Sequence, residues 1–212
     1  MEYSEMATRV TNFLVNMAHN HAFWVYVFIF FSCVLENIFP PYPGDAVIFG
    51  GAFLAGTGNL FLPLVFAATF LGSMSGALLL YSLGKRGVRK LFVFHTGIFF
   101  NDAQLHKIES WFKSYGEKIL LASRFIAGVR SGIALAAGIG NIDLKKMLIY
   151  TSVSVLLWNG ILTGVATLLK ENYSMAYRFL TTYNSVVLSL LGLAIIYWLF
   201  RLARRKLKKG RI

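Results

Sequence analysis

Apolar residues in this chain run in long stretches broken by short glycine- and proline-rich turns. This is neither the alternation of a half-buried strand nor the single apolar stripe of a soluble helix. From Ala46 to Gly84 there is no Asp, Glu, Lys or Arg in 39 residues. About 20 apolar residues suffice for a helix to cross a bilayer, so the stretch holds one span and a further piece. Read in order, 1–21 is a polar start and Ala22–Leu35 an apolar segment. A proline-rich turn follows, then a short glycine-broken piece, Ala46–Gly58, and a span, Leu60–Leu83. Residues 84–116 change character, mixing basic, aromatic and polar side chains on a helical period. There Asn101 predicts an N-cap, with Gln104 three residues on, and Gly116 a stop. Leu105, Ile108, Trp111, Phe112 and Tyr115 share one face, which predicts an amphipathic connector lying in the interface. A polar, glycine-broken segment, Ile119–Gly140, precedes spans near Met147–Leu169 and Val186–Phe200.

The second half echoes the first. Ala55-Gly56-Thr57-Gly58-Asn59-Leu60-Phe61-Leu62 parallels Ala137-Gly138-Ile139-Gly140-Asn141-Ile142-Asp143-Leu144, an offset of 137 − 55 = 82. At that offset Gly50 falls on Gly132, and the proline-rich turn on Ala122–Ala127. Charge then orients the repeat. Seven bases in Arg201–Arg211 and four in Lys85–Lys90 flank apolar segments, the positive-inside signature, with anionic lipid headgroups as their expected neighbours. The C-terminus and the connector are therefore expected in the cytoplasm. Ile119–Gly140 must then enter and leave from that face as a re-entrant hairpin, and Ala46–Gly58 becomes the returning arm of a hairpin from the outer face. Ala22–Leu35 is either that hairpin's descending arm or a short span of its own, which leaves the side of the N-terminus open.

The predicted fold is an all-α integral membrane protein of two inverted repeats, each a re-entrant hairpin plus a transmembrane helix. Residues 22–83 form repeat 1, 84–116 the connector and 117–169 repeat 2. A final span over 185–204 and a basic tail over 205–212 complete one membrane domain, 1–212. Paired, broken apolar segments at corresponding positions point to a binding site near the midplane, as in transporters.

Composition agrees: 57% of residues are hydrophobic and 14% charged, with mean hydropathy +0.61. The net charge of +12 does not predict nucleic-acid binding, because the bases cluster beside the spans and not on one face of a basic domain. Cys33 is the single cysteine, so neither a disulfide within the chain nor a thiolate metal site is expected. Glu2 and Glu5 stand where a signal peptide would be basic, so no cleaved leader is expected. His19, His21, His95 and His106 have no metal-ligand spacing, and no metal or cofactor is predicted.

The few charges inside apolar sequence carry the functional reading. Glu36 and Asp45 bracket Phe39-Pro40-Pro41-Tyr42-Pro43-Gly44, and Arg124 and Arg130 bracket a second turn that contains Gly128. A charge at the bilayer centre costs about 2.5–3.5 kcal/mol on insertion scales, so it marks a site or a pathway. Arginine binds phosphate oxygens bidentately, and helices starting near Ala46 and Ser131 would turn their N–H groups toward an anion. The acids are expected to pair with the arginines when the site is empty, and a desolvated carboxylate can take up a proton when phosphate displaces it. A static network of ion pairs holding two hairpins together is the plain alternative. Gly72-x-x-x-Gly76 suits close helix packing, within the chain or in a homo-oligomer, and Asn59, Asn141 and Asn159 are expected to cap or bridge helices.

The segment Glu36…Phe39-Pro40-Pro41-Tyr42-Pro43-Gly44-Asp45, the Gly50-Gly51 pair, Tyr115-Gly116 and Arg124-Phe125…Arg130 resemble the DedA family of bacterial membrane proteins. The resemblance covers about Glu36 to Leu169 and departs at Ala127, where the family usually has proline. It implies a protein of the bacterial cytoplasmic membrane that moves polyprenyl phosphate, foremost undecaprenyl phosphate, linked to the proton gradient. It places the family's essential acids on Glu36 and Asp45 and its essential arginines on Arg124 and Arg130, with no catalytic residue. A phosphatidylethanolamine flippase or scramblase of the same fold is the near alternative. A membrane lipid phosphatase, or a structural or ion-conducting protein, is the alternative from another class.

Overall fold

The computed structural model describes residues 2–39, 42–88, 112, 114–125 and 130–170, with isolated positions at 175, 182, 185 and 189. Pro40, Pro41, Ala127 and Gly128, most of the connector, the final span and the basic tail lie outside the described residues. The described secondary structure is all helical. α1 is Glu2–Ile38, α2 Gly44–Gly56, α3 Leu62–Leu83, α4 Ile119–Ala122, α5 Arg130–Ile139 and α6 Leu144–Leu168. A π-helical turn, Gly84–Val88, extends α3, and single 3-10 turns flank α4 at Gly116–Lys118 and Ser123–Phe125.

Among the described residues three helices are long and apolar enough to cross a membrane: Asn20–Ile38, Leu62–Arg86 and Leu144–Leu168. The first belongs to α1, whose backbone leaves helical geometry at His21 (φ −140°, ψ 39°). From Ala22 the stretch is helical and runs three residues beyond the Leu35 expected from hydropathy. α2 and α5 are shorter, 13 and 10 residues. At 1.5 Å per residue they reach about 20 and 15 Å, short of the roughly 30 Å of hydrocarbon.

Local chemistry explains where the helices stop and restart. α2 closes through Thr57, Gly58 and Asn59 N–H groups donating to Phe53, Ala55 and Leu54 carbonyls. α5 closes the same way, with Gly140, Asn141 and Ile142 N–H groups donating to Ala136, Gly138 and Ala137. The two sets lie 83 positions apart, one more than the sequence offset, and the helices that follow start 82 apart, at Leu62 and Leu144. Each turn needs one left-handed residue, Gly58 (φ +83°) in the first and Asn141 (φ +52°) in the second, residue types that tolerate it. Asp143 then caps α6, accepting from the Lys145 and Lys146 N–H groups at 3.0 and 3.1 Å. Gly116 is left-handed too (φ +60°), as a helix stop requires.

α3 and α6 run antiparallel. The Tyr81 hydroxyl, near the end of α3, donates to the Ile142 carbonyl just before α6 at 2.6 Å, and Ser152 of α6 donates to Met74 Sδ mid-way along α3 at 3.6 Å. α2 and α5 lead to opposite ends of this pair. Gly56, closing α2, lies against Thr167 and Lys170 at the end of α6. Gly138, near the end of α5, lies against Tyr81 and Lys85 at the end of α3. The core divides to match: Ile29, Ile48, Val65 and Leu162 pack at one end, and Leu80, Leu120, Ile133 and Met147 at the other. Phe112, expected on a face turned to the membrane interface, is buried in the second cluster instead, while Tyr115 stays exposed.

Gly72 and Gly76 pack α3 against α1. A Cβ at Gly72 would meet the Phe30 carbonyl and Cys33, and one at Gly76 would meet Asn37 and the Val34 carbonyl. The Asn37 side chain completes this seam, donating to the Cys33 and Ser73 carbonyls at 2.9 and 3.4 Å. The spacing therefore serves contacts inside the chain. Gly72→Leu is expected to destabilise the protein by about 1–3 kcal/mol, the usual cost of overpacking, read as a lower unfolding temperature in detergent. Gly50→Ala, where a Cβ meets nothing within 4 Å, should leave that temperature within a degree or two.

Candidate functional site

The four charges singled out from sequence sit together at the divergence of α2 and α5. Glu36, in the last turn of α1, is fully buried, and Asp45, in the first turn of α2, nearly so. Arg130 opens α5, and Arg124 lies in the 3-10 turn after α4, 4% exposed. Local structure sets these positions. The turn after α1 folds back through the Tyr42 N–H donating to the Phe39 carbonyl at 3.0 Å and the Gly44 N–H to the Tyr42 carbonyl at 2.9 Å. The Tyr42 hydroxyl donates to Ser32 at 2.8 Å, pinning the turn to α1. Gly44 has to be glycine here, because a Cβ would fall onto the Glu36 side chain. The bare backbone lets α2 begin directly against the carboxylate.

The pairing is unequal. Arg130 takes both acids: Nη2 pairs with Glu36 Oε1, and Nη1 lies 3.4 and 3.5 Å from the two Asp45 oxygens. Arg124 lies in the same field of charge, yet its Nη1 and Nη2 have no hydrogen-bond partner among the described residues. The expectation of acids shared between two arginines is thus refined: among the described residues Arg130 alone pairs with them. The Ser131 hydroxyl beside Arg130 is also buried without a partner among the described residues. Buried donors left in that state cost about 1–3 kcal/mol each, more when charged. The arrangement therefore carries an unmet demand for an acceptor, and an anion supplies several.

Two residues of the cluster were not singled out by sequence. Trp158, in the middle of α6, donates its indole N–H to Asp45 Oδ1 at 2.8 Å. Its ring meets Phe125, next to Arg124, edge-on with centroids 5.5 Å apart. The one signal was a tryptophan far from either end of a span, where interfacial anchoring does not apply. Cys33 lies one turn before Glu36, fully buried among the same charges. As the chain's single thiol it reports on access to the centre. A membrane-permeant maleimide should label it slowly in the parent and at least tenfold faster in Arg130→Gln, followed by mass shift.

Of the other candidates, Asn159 is fully buried with its amide unpartnered among the described residues, and Asn59 donates to Thr57 within its own turn. No group of three or more His, Cys, Asp or Glu able to hold a metal occurs among the described residues.

Helices that start at a buried centre of two acids and two arginines invite comparison with known proteins. The VTT domain matches residues 41–168, more than half of the chain. The chain belongs to the VTT-domain, or DedA, family. A relative in Lactococcus lactis subsp. cremoris, named alkaline phosphatase-like protein, is 31% identical over 85% of this chain and 87% of its own length. Undecaprenyl phosphate transporter A of Staphylococcus aureus is 24% identical over 85% of this chain and 92% of its own. Protein DedA of Escherichia coli is 25% identical over 68% of each. No solved structure matches the chain. The family and the three apolar helices make this an integral membrane protein.

Proposed function

We propose that this protein carries a lipid phosphate, foremost undecaprenyl phosphate, across the bacterial cytoplasmic membrane, with proton uptake offsetting part of its charge. The observation that carries this reading is the open guanidinium of Arg124 inside a buried cluster whose formal charges cancel. Arg124 seats the phosphate, and Arg130 joins it when the acids let go. The relative named undecaprenyl phosphate transporter A supports the cargo. α2 and α5 are then the arms of two re-entrant hairpins belonging to inverted repeats, entering from opposite faces. Their recurring end motifs and opposite directions support this architecture, and the basic tail supports a cytoplasmic C-terminus.

Charge balance argues for protons. A phosphate monoester brings a charge of about −1.5 to −2 at neutral pH. Added to a neutral cluster in hydrocarbon, that charge would stand alone unless an acid is protonated. Acid pH should therefore favour loading, and alkaline pH release.

The relatives named alkaline phosphatase-like keep an enzymatic reading in play. Release of inorganic phosphate from a polyprenyl pyrophosphate by the purified protein would favour it. The transport reading instead expects a polyprenyl phosphate to raise the unfolding temperature of the purified protein, with polyprenol of the same length, lacking the phosphate, far weaker. Equal stabilisation by the alcohol would refute the phosphate seat. Stabilisation by phosphatidylethanolamine equal to that by polyprenyl phosphate would move the cargo to the phospholipid alternative.

A further inference from the structure

Glu36 and Asp45 look interchangeable in sequence, but the structure gives them different partners. Glu36 is held by its ion pair with Arg130 and lies against the Asp45 carboxyl, with no neutral donor on either of its oxygens among the described residues. Asp45 is farther from Arg130 and closer to a neutral donor, the Trp158 indole at 2.8 Å. Trp158 is itself fixed on α6, with its ring against Phe125. An anion that takes Arg130 therefore removes the charge partner of Glu36 while leaving Asp45 the Trp158 N–H. Two adjacent carboxylates deprived of their arginine cannot both stay ionised in a low-dielectric centre, and the one without a remaining donor takes the proton first.

We propose that Trp158 is a positioning residue that keeps Asp45 as the standing negative charge of the site, so that the proton exchanged during loading is carried by Glu36. The inference rests on the proposed function for the loading step, while the difference between the two acids stands on their own contacts. The charged and titratable groups facing the acids are Arg124, Arg130 and Cys33. α6 adds Trp158, whose indole does not titrate near neutrality. The Tyr42 hydroxyl is engaged with Ser32. One proton passes from water to a Glu36 carboxylate oxygen as phosphate enters, offsetting one unit of its charge, and returns to water as it leaves.

Infrared difference spectroscopy of the reconstituted full chain tests this, with a short-chain polyprenyl phosphate as the probe. Addition of the probe should raise one protonated-carboxyl band, absent in Glu36→Gln and retained in Asp45→Asn. The opposite pattern would overturn the assignment. Trp158→Phe should add a second band, assignable to Asp45 by its loss in Trp158→Phe/Asp45→Asn, and should slow lipid movement about tenfold or more. An unchanged spectrum in Trp158→Phe would deny the indole its role. Should Trp158→Phe fail to fold, Trp158→benzothienylalanine keeps the ring and its Phe125 contact while removing the N–H, and the same second band is expected. If the parent moves no lipid phosphate, the functional reading fails, but acidification without lipid still reads the proposal. Glu36 must then protonate before Asp45, and the reverse order overturns it.

Discussion

Arg130→Gln is expected to damage both fold and function, because it strips the counter-charge from two buried acids at once. Glu36 pairs with Nη2 of this side chain and Asp45 lies near Nη1, so the substitution leaves two buried carboxylates without it. Breaking a buried pair by removing one partner costs about 3–5 kcal/mol, most of it the desolvation of the charge left behind. The unfolding temperature in detergent should fall sharply, and lipid-phosphate movement should vanish. Adding Glu36→Gln to Arg130→Gln should recover much of the stability, since it removes the stranded charge, yet transport should stay lost. A single Arg130→Gln variant as stable as the parent would mean that the pairing is not the main restraint on the centre.

Arg124→Gln should separate the two properties in the opposite sense. This guanidinium is buried but holds no hydrogen-bond partner on its terminal nitrogens among the described residues. Its removal breaks no ion pair among the described residues, although it withdraws one of the two charges that offset Glu36 and Asp45, so stability should fall clearly less than in Arg130→Gln. Transport should fall by at least about a hundredfold, because a charge-assisted contact to phosphate is worth about 1.5–3 kcal/mol per hydrogen bond and this fork offers two. Lysine should restore little, since a point charge does not reproduce the planar fork. Comparable destabilisation in Arg124→Gln and Arg130→Gln would instead favour a static network of ion pairs.

Much of this layout is legible in the chain because glycine, asparagine and charge are rare and expensive inside hydrocarbon. The Gly-Asn-Leu-Phe-Leu and Gly-Asn-Ile-Asp-Leu segments mark the turns before α3 and α6, which begin at Leu62 and Leu144 against the Leu60 and Met147 expected, since each needs a left-handed residue before an apolar run. Glu36, Asp45, Arg124 and Arg130 are conspicuous for the same reason, and the structure brings all four to one centre. What the chain conceals is pairing. Two arginines six residues apart look equivalent, yet only Arg130, as the first residue of α5, reaches both acids. Trp158 escapes notice because its apolar ring blends into a span, and its N–H acquires meaning only when Asp45 arrives from 113 residues away. The partner of Gly72 and Gly76 was equally hidden, for a small-residue spacing does not say which helix approaches it.

The central claim is that the buried charge cluster passes a lipid phosphate between leaflets. Its most direct test is the leaflet distribution of a labelled polyprenyl phosphate in proteoliposomes, followed in time with and without an imposed pH gradient. The account predicts that liposomes holding the parent protein exchange the label well above protein-free liposomes, faster with the acid side facing the lipid to be loaded. Liposomes holding Arg124→Gln should match the protein-free rate. Exchange no faster with the parent than without protein, or equally fast with Arg124→Gln, would contradict it.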